Sequence, residues 1–217
     1  MKLALFDLDN TLLDGDSDYL WAQFLIEEGV LHPDEYNARN EWFYARYKDG
    51  TLDIDEYLRF QLAPLAHRPR AELERWHADF MQRKIRPIIA PGAADLLAKH
   101  ADATTVIVTA TNRFITAPIA AELGVPNLLA SEIEEVDGLF TGLPHGTPTF
   151  REGKIARVNE WLADHGVRLE DCESWFYSDS LNDLPLLERV THPVAVDPDA
   201  TLRTHATKRG WPIITLR

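Results

Sequence analysis

The sequence predicts an α/β protein, a doubly wound parallel sheet carrying an all-helical insertion. Three observations support this. Short apolar runs alternate with helical patterns at both ends of the chain. A stretch from residue 16 to residue 86 is helical in pattern and contains no convincing strand. The apolar runs end in carboxylate or hydroxyl side chains, at the carboxyl ends of strands where open α/β sheets bind their ligands.

The first run, Leu3 to Phe6, is almost continuously apolar, as in a strand buried on both faces. It leads into Asp7, Asp9 and Thr11 within KLALFDLDNT. Alternation turns the two aspartates to one side, so two carboxylates converge on one small volume. Such a pair repels unless a cation or a shared proton neutralises it, which implies a bound metal, a protonated carboxyl group, or both. The same residues also suit a turn.

Four helical patterns follow, over Asp18–Glu28, Pro33–Lys48, Asp53–Leu65 and Pro69–Lys84. Gly29 and Gly50 stop the first two, and Asp53 and Glu56 start the third at capping-box spacing. Trp21, Phe24, Phe43, Tyr57 and Phe80 recur at helical spacing and read mainly as the core of a small bundle. Asp14, Asp16 and Asp18 lie where the chain enters this insertion, suited to an ammonium or imidazolium group, although Asp16 also suits a helix cap. Arg39 and Arg46 suit a substrate carboxylate or, on so aromatic a helix, solvation or stacking.

Beyond the insertion, TTVIVT predicts a strand over Thr105–Thr109. Ala110, Thr111 and Asn112 follow it, so a hydroxyl and free backbone N–H groups meet at a helix start, where anions bind. A strand over Asn127–Ser131 precedes EEVDGLFTG, whose Asp-Gly pair predicts a hairpin. Gly153 and Lys154 open a helix, an end where the helix dipole disfavours a cation. Lys154 is thus either a solvated lysine or a counter-ion for phosphate. In SWFYSDSLNDLP a strand over Trp175–Tyr177 ends in Asp179, with Asn182 and Asp183 opening a helix. Strands over Val194–Val196 and Ile213–Leu216 complete the sheet.

Composition narrows the function. A net charge of −13 over 217 residues repels nucleic-acid backbones and anionic membranes, so neither is expected as a partner. The single cysteine, Cys172, excludes an internal disulfide and fits a reducing compartment. The eight histidines lack the spacing of zinc sites, and neither a Walker loop nor a GxGxxG fingerprint is present. The N-terminal apolar stretch is too short for a signal sequence and no apolar run could span a bilayer, so a cytoplasmic protein is expected.

The ordered set DLDNT, the Thr109 strand end, Lys154 and SDSLND resembles the four motifs of the haloacid dehalogenase superfamily, most closely its phosphoserine phosphatase-like branch. The resemblance implies a Rossmann-like catalytic core from residues 1–15 and 87–217 and a helical cap from residues 16–86. It implies that Asp7 is a nucleophile giving an aspartyl-phosphate and that Asp9 is the acid and base. It also implies Mg²⁺ held by Asp7, the Asp9 carbonyl and Asp179, with Asp183 a further ligand or an acceptor behind the ligands. Thr109, the amide of Ala110, Lys154 and Asn182 would hold the phosphoryl oxygens. The expected substrate is a small phosphate ester. Histidinol phosphate is favoured by the acidic entry and aromatic cap, and phosphoserine is the alternative. A phosphotransferase and a phosphate-binding regulator without turnover are the competing classes.

Overall fold

The computed structural model describes all 217 residues. Strand β1 (Lys2–Phe6) lies at the centre of the sheet, between β2 (Thr104–Asn112) and β5 (Glu173–Ser178). With β3 (Asn127–Val136), β4 (Leu139–His145), β6 (His192–Val196) and β7 (Ile213–Ile214), the order is β4-β3-β2-β1-β5-β6-β7. Every neighbouring pair is parallel except β3 and β4. Strand order therefore reverses at β1, and the strand carrying Thr109 and the strand leading to Asp179 flank the one leading to Asp7. Such a switch point opens a crevice at the carboxyl ends of the strands.

Alternation along β1 sorts its side chains between two cores. Ala4 and Phe6 enter a cluster of 28 buried residues on one face, and Leu3 and Leu5 a cluster of 16 on the other. Each fully buried Leu or Phe contributes about 1.5–3 kcal/mol relative to exposure, which fixes the register that delivers Asp7 to the crevice.

The insertion consists of α1 (Ser17–Glu27), α2 (Pro33–Asp49), α3 (Ile54–Leu62) and α4 (Arg70–Phe80). Asp16 caps α1 by accepting from the Tyr19 amide, Asp53 caps α3, and Gly50 ends α2 in the left-handed conformation at φ 79. The third helix is shorter than the sequence pattern implies. Pro64 supplies no N–H, and Ala63–Leu65 form a 3₁₀ turn instead. The expected bundle with a core of its own is not what forms. Trp21, Phe24, Leu58, Leu62 and Phe80 belong to the same cluster as Ile107, Ile115 and Phe140 of the sheet layer. Only Phe43, Leu52 and Phe150 form a separate small cluster, beneath α2.

The remaining helices are α5 (Ala93–Ala98), α6 (Arg113–Glu122), α7 (Glu152–Asp164), α8 (Leu184–Leu187) and α9 (Ala200–Arg209). Strands β2 and β3 run past the expected ends at Thr109 and Ser131, and their register shifts between Val108 and Asn112. The hairpin between β3 and β4 turns at Asp137 and Gly138, both at positive φ, as an Asp-Gly turn requires.

Candidate active site

The crevice beyond β1 gathers residues from all four motifs. Asp7 follows β1 directly, its amide bonded to the Tyr177 carbonyl at 2.9 Å. Asp9 remains extended, and Asn10 turns through φ 57, a conformation Asn tolerates. That turn brings the Thr11 hydroxyl back to Asp7 Oδ2 at 3.3 Å and Asp179 Oδ1 at 3.1 Å. The Asp179 amide donates to Thr11 Oγ1 in return.

Lys154 is 2 % exposed, in the first turn of α7, which rules out the solvated reading. Its ammonium donates to Asp7 Oδ1 and to Asp183 Oδ2, both at 2.7 Å. Burial alone would lower its pKa, but the two carboxylates outweigh burial and hold it charged. The chain reaches this position through Gly153, where a Cβ would lie 2.0 Å from the Pro148 carbonyl oxygen, so only glycine fits. Asp183 Oδ2 also accepts from the Ser178 hydroxyl at 2.7 Å.

Burial pushes Asp7 up to about 7 despite the attraction of Lys154, with Asp183 adding repulsion. Asp9 accepts from the Ser17 amide at 2.6 Å and the Thr111 hydroxyl at 2.8 Å. Burial first, and then the Asp16 carboxylate, raise Asp9 to about 6, a value matched to proton transfer near neutral pH. Asp179 is raised well above the usual carboxylate range by burial and by Asp7, and no lysine, arginine or histidine pairs with it. Thr109 and Ala110 line the crevice with Asn182, and the buried Thr109 hydroxyl accepts from the Thr111 amide at 3.2 Å.

The outer part of the cavity is acidic and aromatic. Asp16 and Asp18 line it with Tyr19, Phe43, Tyr44, Tyr47 and Tyr57. Asp18 accepts from the Tyr57 hydroxyl at 3.1 Å and from Asn112 Nδ2 at 3.4 Å, and burial raises its pKa well above the usual value. The other three proposed specificity residues are not brought here. Asp14 pairs with Arg217 at the surface, Arg39 pairs with Glu56 at 2.6 Å, and Arg46 stacks on Trp42 at 4.1 Å. An aromatic neighbour on the same helix satisfies each arginine without a substrate.

Sequence reasoning gave no role to Thr11, Thr111, Ser17 or Ser178, which orient the carboxylates. Thr11, inside DLDNT, and Thr111, two residues after Thr109 on the same strand, left a signal.

A buried aspartate at a sheet switch point, an adjacent carboxyl group and a lysine held between aspartates form a phosphate-compatible site in an α/β fold. The sequence profile of the haloacid dehalogenase-like hydrolases matches residues 4–188. The chain belongs to that family and is one of its phosphatases. It is 45% identical over 220 residues to a histidinol-phosphatase of Neisseria meningitidis serogroup C, covering 100% of this chain and 99% of the relative. It is 34% identical over 222 residues to a phosphoserine phosphatase of Mycobacterium tuberculosis, covering 99% of this chain and 70% of the relative. A solved protein of unknown function from Bordetella pertussis Tohama I superposes with a TM-score of 0.93 at 49% identity, covering 100% of this chain and 99% of that one. A phospho-aspartyl intermediate analogue of phosphoserine phosphatase superposes at 0.68 with 20% identity, over 100% of this chain and 93% of that one, a likeness of fold. No helix is long and apolar enough to cross a membrane.

Proposed function

We propose that this phosphatase hydrolyses a small, cationic, carboxylate-free phosphate ester, with histidinol phosphate as the best match, through an aspartyl-phosphate on Asp7. The observation that carries the substrate is the charge of the cavity. Asp16 and Asp18 line its outer part, while Lys154, deep beside Asp7, is the one cation lining it. A substrate ammonium or imidazolium would supply the cationic partner that Asp18, a buried acid, lacks. Phosphoserine would bring a carboxylate to a wall that offers it no positive charge. The histidinol-phosphatase named among the relatives supports the same reading.

The residues divide the work accordingly. Asp7 attacks phosphorus, while Asp9, its carboxyl oriented by Ser17 and Thr111, protonates the leaving oxygen and then takes a proton from water. Lys154, Thr109, the Ala110 amide and Asn182 hold the phosphoryl oxygens. Residues 16–86 act as the cap that recognises the rest of the ester.

The donor set fits Mg²⁺. Thr11 brings the Asp7 and Asp179 carboxylates together, and Asp179 has no other cation. Side chains alone give no trio of ligands, so the Asp9 carbonyl and water would complete the oxygen set that Mg²⁺ prefers. Asp183 would act behind it by holding Lys154. When bound, Mg²⁺ neutralises the charge that spreads over the transferring phosphoryl group.

Assay of phosphate esters with Mg²⁺ tests the substrate. Histidinol phosphate is expected to have the highest kcat/KM, and Asp18→Asn to raise its KM by about 10- to 100-fold, the value of a lost charge-assisted hydrogen bond. An aryl phosphate should be unaffected by that substitution. A preference for phosphoserine would overturn the assignment.

Thermal unfolding tests the metal. Mg²⁺ at about a hundred times its Kd should raise Tm by roughly 5–10 °C, and Asp179→Asn should remove most of that rise together with activity. Ca²⁺ should bind and inhibit, because its longer bonds disturb in-line geometry. Undiminished hydrolysis in excess chelator would reject the metal.

A further inference from the structure

Arg151 occupies a position that neither its backbone nor its place on a helix explains. At φ 51 and ψ −121 it adopts a conformation strained for any L side chain. It also sits at the N-terminal end of α7, where the helix dipole disfavours a cation. What holds it is its side chain. The guanidinium donates to Asn182 Oδ1 through Nε at 3.0 Å and Nη2 at 2.9 Å, and Nη2 reaches the Gly50 carbonyl at 2.6 Å.

These bonds determine how Asn182 faces. A guanidinium only donates, so the end of the carboxamide that meets it must be oxygen, and Nδ2 is driven to the opposite side. There Nδ2 donates to the Tyr47 carbonyl at 3.2 Å, in the last turn of α2, and the residue lines the crevice beside Asp7 and Lys154. The Tyr47 and Gly50 carbonyls both lie at the C-terminal end of α2, where a helix leaves its carbonyls without internal partners and attracts positive charge. The Tyr47 hydroxyl adds a third link across the cleft by donating to Ser180 Oγ at 2.9 Å.

We propose that Arg151 is a positioning residue that fixes the Asn182 amide with its donors toward the phosphoryl group, and couples that orientation to the seating of α2 over the crevice. Nδ2 has two hydrogens. One meets the Tyr47 carbonyl and the second is available to a phosphoryl oxygen, so phosphate and the end of α2 share one oriented amide. The inference rests on the phosphatase reading of this site, and adds a residue outside the four motifs.

The test uses the Mg²⁺-loaded full chain with an aryl phosphate as substrate and inorganic phosphate as the binding probe. Arg151→Gly adopts this backbone without strain and isolates the side chain, and Arg151→Lys keeps the charge without the fork. Both are expected to weaken phosphate binding by about tenfold and to lower kcat/KM by on the order of 10- to 100-fold. Guanidinium ion, well below denaturing concentration, should restore part of the loss in Arg151→Gly. In an Asn182→Ala background, Arg151→Gly should change little. Unaltered phosphate affinity in a folded Arg151→Gly protein, or effects of the two substitutions that simply multiply, would overturn the positioning role. A parent protein inactive on the aryl phosphate would overturn the site reading itself, a result distinct from loss confined to the variants.

Discussion

Asp7→Asn is expected to abolish the phosphoenzyme and to lower kcat by roughly 10⁴-fold or more, because an amide has no nucleophilic oxygen anion to offer phosphorus. Asp9→Asn is expected to behave differently. It loses the proton donor but keeps the nucleophile, so it should still form phosphoenzyme from an aryl phosphate, whose leaving group needs little protonation. With an alkyl phosphate it should be nearly inert. Rapid-quench trapping with both ester types separates the two variants. With Asp7 held ionised by bound Mg²⁺, the rate of the first transfer from an alkyl ester should decline in the parent as pH rises above about 6, where Asp9 gives up its proton. Equal residual turnover of both variants on an aryl ester, with no phosphoenzyme in the parent, would reverse these roles.

Lys154→Met should cost both activity and stability. Removal of the ammonium leaves Asp7 and Asp183 buried without their shared cation. Breaking a buried ion pair from one side costs about 3–5 kcal/mol, and loss of a charge aimed at the phosphoryl group costs on the order of 10²- to 10³-fold in kcat. The two losses can be separated. In Lys154→Met/Asp183→Asn the second orphaned carboxylate is gone, so much of the Tm should return while kcat stays low. A single variant with full stability and full activity would show that Lys154 takes no part.

The sequence made the motif-bearing strand ends legible because each obeys a local rule: an apolar run, then a polar side chain at its end. β1, β2 and β5 needed only period and composition to be found. How those ends are tuned depends on partners remote in the chain. Asp9 meets Thr111 across 102 residues and Lys154 meets Asp7 across 147. Nothing near either residue announces the other. Asp14, Asp16 and Asp18 look alike in sequence, yet the start of α1 at Ser17 carries two into the cavity and leaves Asp14 with Arg217. Arg39 and Arg46 carried two readings, and the stacking one matches the geometry because Trp42 and Phe43 lie within reach on the same helix. Strand β2 outran its expected end because a polar Thr-Ala-Thr-Asn stretch can still pair once its register shifts.

The core shared between the insertion and the sheet limits how such an enzyme can be rebuilt. Trp21, Phe24 and Phe80 serve the same apolar layer as Ile107 and Ile115. A chain trimmed of residues 16–86 would lay bare one flank of its sheet, and such a surface invites aggregation. Exchange of cap residues between relatives should therefore leave α1, α3 and α4 in place, since Leu58 and Leu62 of α3 share that layer too, and be confined to the segment bearing α2. Phe43 of α2 packs on Leu52 and Phe150 in a small separate cluster, so a transplanted α2 has that cluster to match there instead of an entire protein interior.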